Sequence, residues 1–132
     1  MIETVKTNRK PLKRTNKDIR LIIDSLLEKK AHTVVVLDVR RVSEMTDFII
    51  IAGGSSNRQL KAIASNLIKS LKKRPIGQEG ISTPGSMWIA IDYGSIMIHL
   101  IHDDLRAYYD IEGLWPEAKE LIVEACTDEE PA

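Results

Sequence analysis

The sequence of 132 residues holds a single cysteine, Cys126. No disulfide can form within the chain, and a reducing, cytoplasmic setting is expected. No apolar run approaches the roughly 20 residues needed to cross a bilayer. The N-terminus lacks the apolar stretch of a signal peptide, and Pro11 with no apolar face beside it argues against an amphipathic transit helix. No membrane partner is therefore expected. Net charge is also lacking: 19 Lys and Arg balance 19 Asp and Glu, so no global field draws the chain to nucleic acid. Residues 58–75 contain no carboxylate at all, which bears on one class of enzyme below.

The balanced charge is unevenly placed. The first seventeen residues carry Lys6, Arg9, Lys10, Lys13, Arg14 and Lys17 against Glu3 alone. From Glu117 onward Glu120, Glu124, Asp128, Glu129 and Glu130 face only Lys119. Such ends are usually solvated tails, with an RNA-touching basic arm as the sharper alternative. The length suits one domain with a proper core. The expected division is a basic disordered arm over 1–16, an α/β domain over 17–123 and an acidic tail over 124–132.

The spacing Ile19, Ile22, Ile23, Leu26, Leu27 predicts an amphipathic helix over 17–30, capped by Thr15 or Asn16. Thr33–Val39 reads as a strand by its β-branched content. Phe48–Ala52 is a short continuous apolar run, as in a strand buried on both faces. Gly53-Gly54-Ser55-Ser56-Asn57 breaks it, and a helix follows with Leu60, Ile63, Ala64, Leu67, Ile68 and Leu71 as its stripe, ending at Pro75. A short edge strand is expected near Ile76–Glu79. Asp103 can cap a short helix, and a last amphipathic turn or two is expected over 117–123. The expected fold is a single α/β domain, a mixed β-sheet with helices mainly on one face.

Trp88–Ile91 and Ile96–Ile101 are apolar runs separated by Asp92-Tyr93-Gly94-Ser95, which predicts a β-hairpin with Gly94 at positive φ. With Tyr93 and Gly94 as the loop pair, Ile91 faces Ile96 and Trp88 faces His99. Alternation then gives one aliphatic face, Ile89, Ile91, Ile96, Ile98 and Leu100. The other face mixes Trp88, Ala90, Asp92, Ser95, Met97, His99 and Ile101. A face of Trp, Met, His and a carboxylate suits a partner surface. The plainer alternative is that a C-terminal helix covers it.

Catalytic sets are harder to find. Gly53-Gly54-Ser55-Ser56 precedes a helix, where backbone amides bind phosphate well. It is neither a P-loop nor G-x-G-x-x-G. A nucleotidyltransferase needs an acidic pair roughly ten residues beyond such a junction to hold metal. With none in 58–75, a tight turn and helix cap is the better reading. His99 and His102 point to opposite faces of a strand and cannot share a metal. His102 with Asp103 and Asp104 makes at best a weak site, and no nucleophile–base pair can be picked out for a serine or Cys126. No cofactor, metal or catalytic residue is expected.

Several runs resemble the ribosomal silencing factor family (RsfS, Iojap or YbeB). They are Ser43-Glu44-Met45-Thr46-Asp47-Phe48, Ile50-Ile51-Ala52-Gly53, Ser55-Ser56-Asn57-Arg58-Gln59 and Ala62-Ile63-Ala64. Glu79-Gly80, Trp88-Ile89, Ile91-Asp92-Tyr93-Gly94, His99, Arg106, Tyr109 and Glu112-Gly113-Leu114-Trp115 continue them. The resemblance spans roughly residues 18–121. Ser95 departs from a position that often holds a carboxylate, and Ala52-Gly53-Gly54 departs from the usual small-residue pattern. The resemblance implies a nucleotidyltransferase-like topology without catalytic carboxylates. It implies docking on the fourteenth protein of the large ribosomal subunit, which blocks small-subunit joining and silences translation when nutrients are scarce. It also implies homodimers, and a large-subunit assembly role in organellar relatives. The expected docking residues are Trp88, Asp92, Tyr93, Met97 and His99, with Arg106, Tyr109 and Trp115 joining or buttressing them. A weak contact of the basic arm with ribosomal RNA is a further expectation. The competing readings are a nucleotidyltransferase-type enzyme holding a nucleoside triphosphate at Gly54 and Ser55, and an RNA-binding assembly factor.

Overall fold

Runs of isoleucine and valine build the centre of the molecule. The computed structural model describes residues 5–6, 13–108 and 119–123, with side chains over 17–108. Its strands are β1 (Val5–Lys6), β2 (His32–Asp38), β3 (Phe48–Gly54), β4 (Gly77–Glu79), β5 (Trp88–Asp92), β6 (Ile96–His102) and β7 (Lys119–Val123). The helices are α1 (Lys13–Glu28), α2 (Asn57–Leu71) and α3 (Asp103–Tyr108). All the strands join one sheet in the order β1-β7-β2-β3-β6-β5-β4. It is mixed: β3 and β6 run parallel, and the other neighbours run antiparallel.

Helices α1 and α2 pack on one face of this sheet. Ile19, Ile22, Ile23 and Leu26 of α1 and Leu60, Ile63, Leu67 and Leu71 of α2 cover Val36, Ile50, Ile89, Ile91, Ile98 and Leu100. Central β3 is buried along its whole length, as its unbroken apolar run predicts. Its alternate residues Ile49 and Ile51 join Val35, Leu37, Val39 and Ile101 in a second cluster on the opposite face. The expected architecture, an α/β domain with a mixed sheet and its main helices on one side, is the observed one.

Local chemistry fixes the joints. Ser56 caps α2, its Oγ accepting from Gln59 N at 3.1 Å. The Gln59 side chain accepts from Ser55 N at 2.7 Å and donates to the Lys29 and Lys30 carbonyls just beyond α1. One residue therefore ties the start of α2 to the end of α1. At the end of β2 Asp38 is buried and takes Arg40 in a two-pronged pair, at 3.0 and 2.8 Å. The same guanidinium lies 4.9 Å from the Phe48 ring centroid.

Three details differ from the sequence reading. Helix α1 starts at Lys13, so Thr15 and Asn16 lie within it rather than capping it. Lys13 and Arg14 are good helix formers, which favours the earlier start. Residues 119–123 form strand β7, not a helical turn, because Val36–Asp38 of β2 offers an edge for Leu121 to Lys119 to pair with. The hairpin register is shifted by two residues: Ile91 faces Ile98 and Trp88 faces Ile101. Gly94 and Ser95 are the loop pair, closed by Tyr93 N donating to Ile96 O at 2.9 Å. Gly94 has φ +84°, as predicted.

Candidate functional site

Strand alternation puts Trp88, Met97 and His99 on the face away from α1 and α2. The two-residue shift makes Trp88 and His99 diagonal neighbours, and Trp88 Nε1 donates to His99 Nδ1 at 2.9 Å. Their rings meet edge-on, with centroids 5.7 Å apart and planes at 77°. An indole N–H can only donate, so Nδ1 must be an acceptor and the neutral ring carries its proton on Nε2. Trp88 and Met97 are half-buried and lean on the second apolar cluster, as does Leu105 of α3.

Burial holds the His99 pKa below its ordinary 6.5. A histidine whose folded pKa is depressed takes up a proton more readily in the unfolded chain. Its stabilising contribution is therefore present above pH 6.5 and is lost as the pH falls below it. The expected result is a melting temperature that declines from pH 7 toward pH 5. In His99→Gln the decline should be shallower, and equal slopes for the two proteins in a thermal melt series would refute the assignment.

The other expected docking residues part company. The Asp92 carboxylate accepts from Gly94 N at 2.7 Å and so locks the turn. Tyr93 turns toward the helix-clad side and packs against the main core, its hydroxyl 3.5 Å from the Lys73 carbonyl. Desolvation raises its pKa. A cleft there, lined by Asp18, Ile22, Leu71, Lys73, Tyr93, Ser95 and Ile96, encloses about 20 Å³, room for one water and far too little for a nucleotide. Arg106 Nη1 donates to Thr33 O at 2.7 Å, tying α3 to the irregular start of β2. Tyr109 and Trp115 lie outside the described residues.

The Arg106 contact belongs to a latch that the sequence did not reveal. His32 Nδ1 lies 2.7 Å from Asp103 Oδ2. Thr33 between these ties has φ +44°, unusual for a β-branched residue, where the β2–β3 register shifts. Asp103 also occupies the space above Gly53: a Cβ there would stand 2.5 Å from its Oδ1. The glycine thus admits a carboxylate where a phosphate loop would admit a phosphate. The cap geometry of Ser56 and Gln59 accounts for the serines. His102 Nδ1 accepts from Asp104 N at 3.1 Å and serves the start of α3. Among the described residues no group of three or more His, Cys, Asp or Glu side chains is placed to hold a metal, and no described helix is long and apolar enough to cross a membrane.

A mixed sheet clad by two helices on one side, with a Trp–His hairpin face on the other, defines a small α/β domain of a recurrent kind. The sequence matches the family described as "Ribosomal silencing factor during starvation" over residues 12–132, and the chain belongs to that family. It is 34% identical over 107 residues to the ribosomal silencing factor of Halalkalibacterium halodurans, covering 80% of this chain and 92% of that one. A crystal structure of a Chromobacterium violaceum protein superposes with a TM-score of 0.70 at 32% identity, over 79% of this chain and 88% of that one. The mouse protein named mitochondrial assembly of ribosomal large subunit protein 1 is 28% identical over 102 residues, 74% of this chain and 45% of its own length.

Proposed function

We propose that this protein silences ribosomes by docking on the large subunit through that subunit's fourteenth protein and standing where the small subunit must bind, repressing translation when nutrients are limited. The family match over residues 12–132 carries this reading. The Trp88–Met97–His99 face supplies a surface of suitable chemistry, with aromatic and sulfur groups at its centre. The mechanism is steric and needs no cofactor and no catalytic residue. In this reading the protein works in the cytoplasm, pairs with a second copy off the ribosome, and touches ribosomal RNA weakly through residues 1–16.

Purified subunits test it. Mixed at a magnesium concentration that favours joining, they should yield less joined ribosome on a sucrose gradient as the protein is added, and it should travel with the large subunit. Unchanged joining would overturn the silencing mechanism. A second reading, a role in large-subunit assembly, is favoured by the name of the mouse relative. It predicts binding to immature large particles with joining of mature subunits untouched. A clear rise in melting temperature with millimolar ATP or GTP and magnesium would instead favour the nucleotidyltransferase reading.

A further inference from the structure

The solvent side of α2 carries charge of one sign only. Residues 48–78 contain six basic residues and no Asp or Glu, in a chain whose net charge is zero. Neighbouring α1 mixes exposed Lys17 and Arg20 with exposed Asp24 and Glu28. Arg58, Lys61, Lys69, Lys72 and Arg74 all reach solvent along α2 and just past its end. Among the described residues none of the five is in an ion pair, whereas nearby Lys73 pairs with Asp18 at 3.1 Å. The helical rise of 1.5 Å per residue spreads Arg58 to Lys72 over about 20 Å.

Helix stability explains only part of this row. Cations near a helix C-terminus complement its dipole, which suits Lys69 and Lys72. Arg58 lies in the first turn of α2, where the dipole disfavours it and no acidic residue offsets it, and Lys61 lies beyond the reach of either helix end. Between the cations the exposed positions are small, Ala62 and Ser65, so a polyanion can approach closely.

We propose that this face of α2 binds the phosphate backbone of folded RNA. The row holds no aromatic side chain, so it offers no platform for stacked bases and reads no sequence. Helix α2 offers no bulky exposed apolar group to enter a lipid surface either, since its apolar side is spent on the sheet, and exposed Ile76 beyond Arg74 stands singly. The row lies on the opposite side of the sheet from Trp88 and His99, so one molecule can hold RNA and a protein partner at once. Family membership makes RNA the polyanion at hand. The inference does not depend on which ribosomal protein the hairpin meets, nor on whether joining is blocked.

Fluorescence anisotropy with a labelled 20-base-pair RNA duplex and the full chain tests it. At 50 mM KCl binding is expected with a Kd of about 1–100 μM, weakening by roughly 100-fold at 200 mM, as suits about four phosphate contacts. Combining Lys61→Gln, Lys69→Gln and Arg74→Gln should weaken it about tenfold or more and reduce the salt slope by roughly 2–3. The exchange Lys61→Arg, Lys69→Arg and Arg74→Lys should keep both. Circular dichroism melts check that each variant is folded. A variant with Lys6, Arg9 and Lys10 changed to Gln should lose less affinity than the α2 variant. An equal or greater loss there would overturn the proposal, as would no binding by the parent at 100 μM protein, or parent-like binding by the α2 glutamine variant.

Discussion

Trp88→Ala is expected to weaken capture by the large ribosomal subunit about tenfold or more and to lower the melting temperature by several degrees. A tryptophan at the centre of an interface typically contributes about 2 kcal/mol or more on truncation, which is the source of the binding figure. The stability loss has a separate origin. Trp88 is only half-exposed, it leans on the cluster of Val35, Leu37 and Ile101, and it donates to His99 Nδ1. Truncation removes that packing and leaves the acceptor without its indole partner, a loss of roughly 1–3 kcal/mol. Trp88 is therefore not a side chain whose loss leaves folding untouched. Binding must therefore be compared at a temperature where circular dichroism shows the variant folded. Trp88→Phe sharpens the comparison, since it keeps ring bulk and loses the Nε1 donor. Parent-like capture by folded Trp88→Ala would remove the hairpin from the docking surface.

The parts of this architecture that follow from spacing were legible in the sequence, and the parts that follow from distant contacts were not. Side-chain alternation has period two, so the two-residue error in the hairpin register left every residue of β5 and β6 on its proper face, and only Ser95, now in the turn, leaves the mixed one. Ile89, Ile91, Ile98 and Leu100 are fully buried as the pattern required. A one-residue error would have inverted the site. The strand over residues 119–123 was misread because Leu121, Ile122 and Val123 satisfy a short helix turn as well as a strand. What decides between them is the free edge of β2, some eighty residues earlier in the chain. The latch of His32 with Asp103 and Arg106 with Thr33 spans separations of 71 and 73 residues and leaves no local signal. Asp38 and Arg40, two apart at the close of an apolar strand, did leave one: a carboxylate ending a buried run needs a cation beside it.

The face assignment is also what separates folding from docking along a single strand. Met97 and Ile98 are adjacent in β6 and point to opposite sides of the sheet. Ile98 lies between Ile50 of β3 and Ile91 of β5 in the core beneath the helices, and none of the three is exposed. Ile98→Ala opens a cavity where neither neighbouring strand nor the helices can close in, so a loss of about 3–4 kcal/mol is expected. For a chain of this length that means a melting temperature lower by roughly 10 °C or more. Met97 is half-buried, packed against the second cluster, and unbranched, so Met97→Ala should cost about 1 kcal/mol. Capture by the large subunit should show the reverse order. Folded Ile98→Ala should bind like the parent, because its side chain never reaches the docking face, while Met97→Ala should bind about tenfold more weakly. Thermal melts paired with co-sedimentation read both quantities on the same samples. If Ile98→Ala loses binding while still folded and Met97→Ala keeps it, the partner meets the helix side of the sheet, and the hairpin's mixed face is a second core.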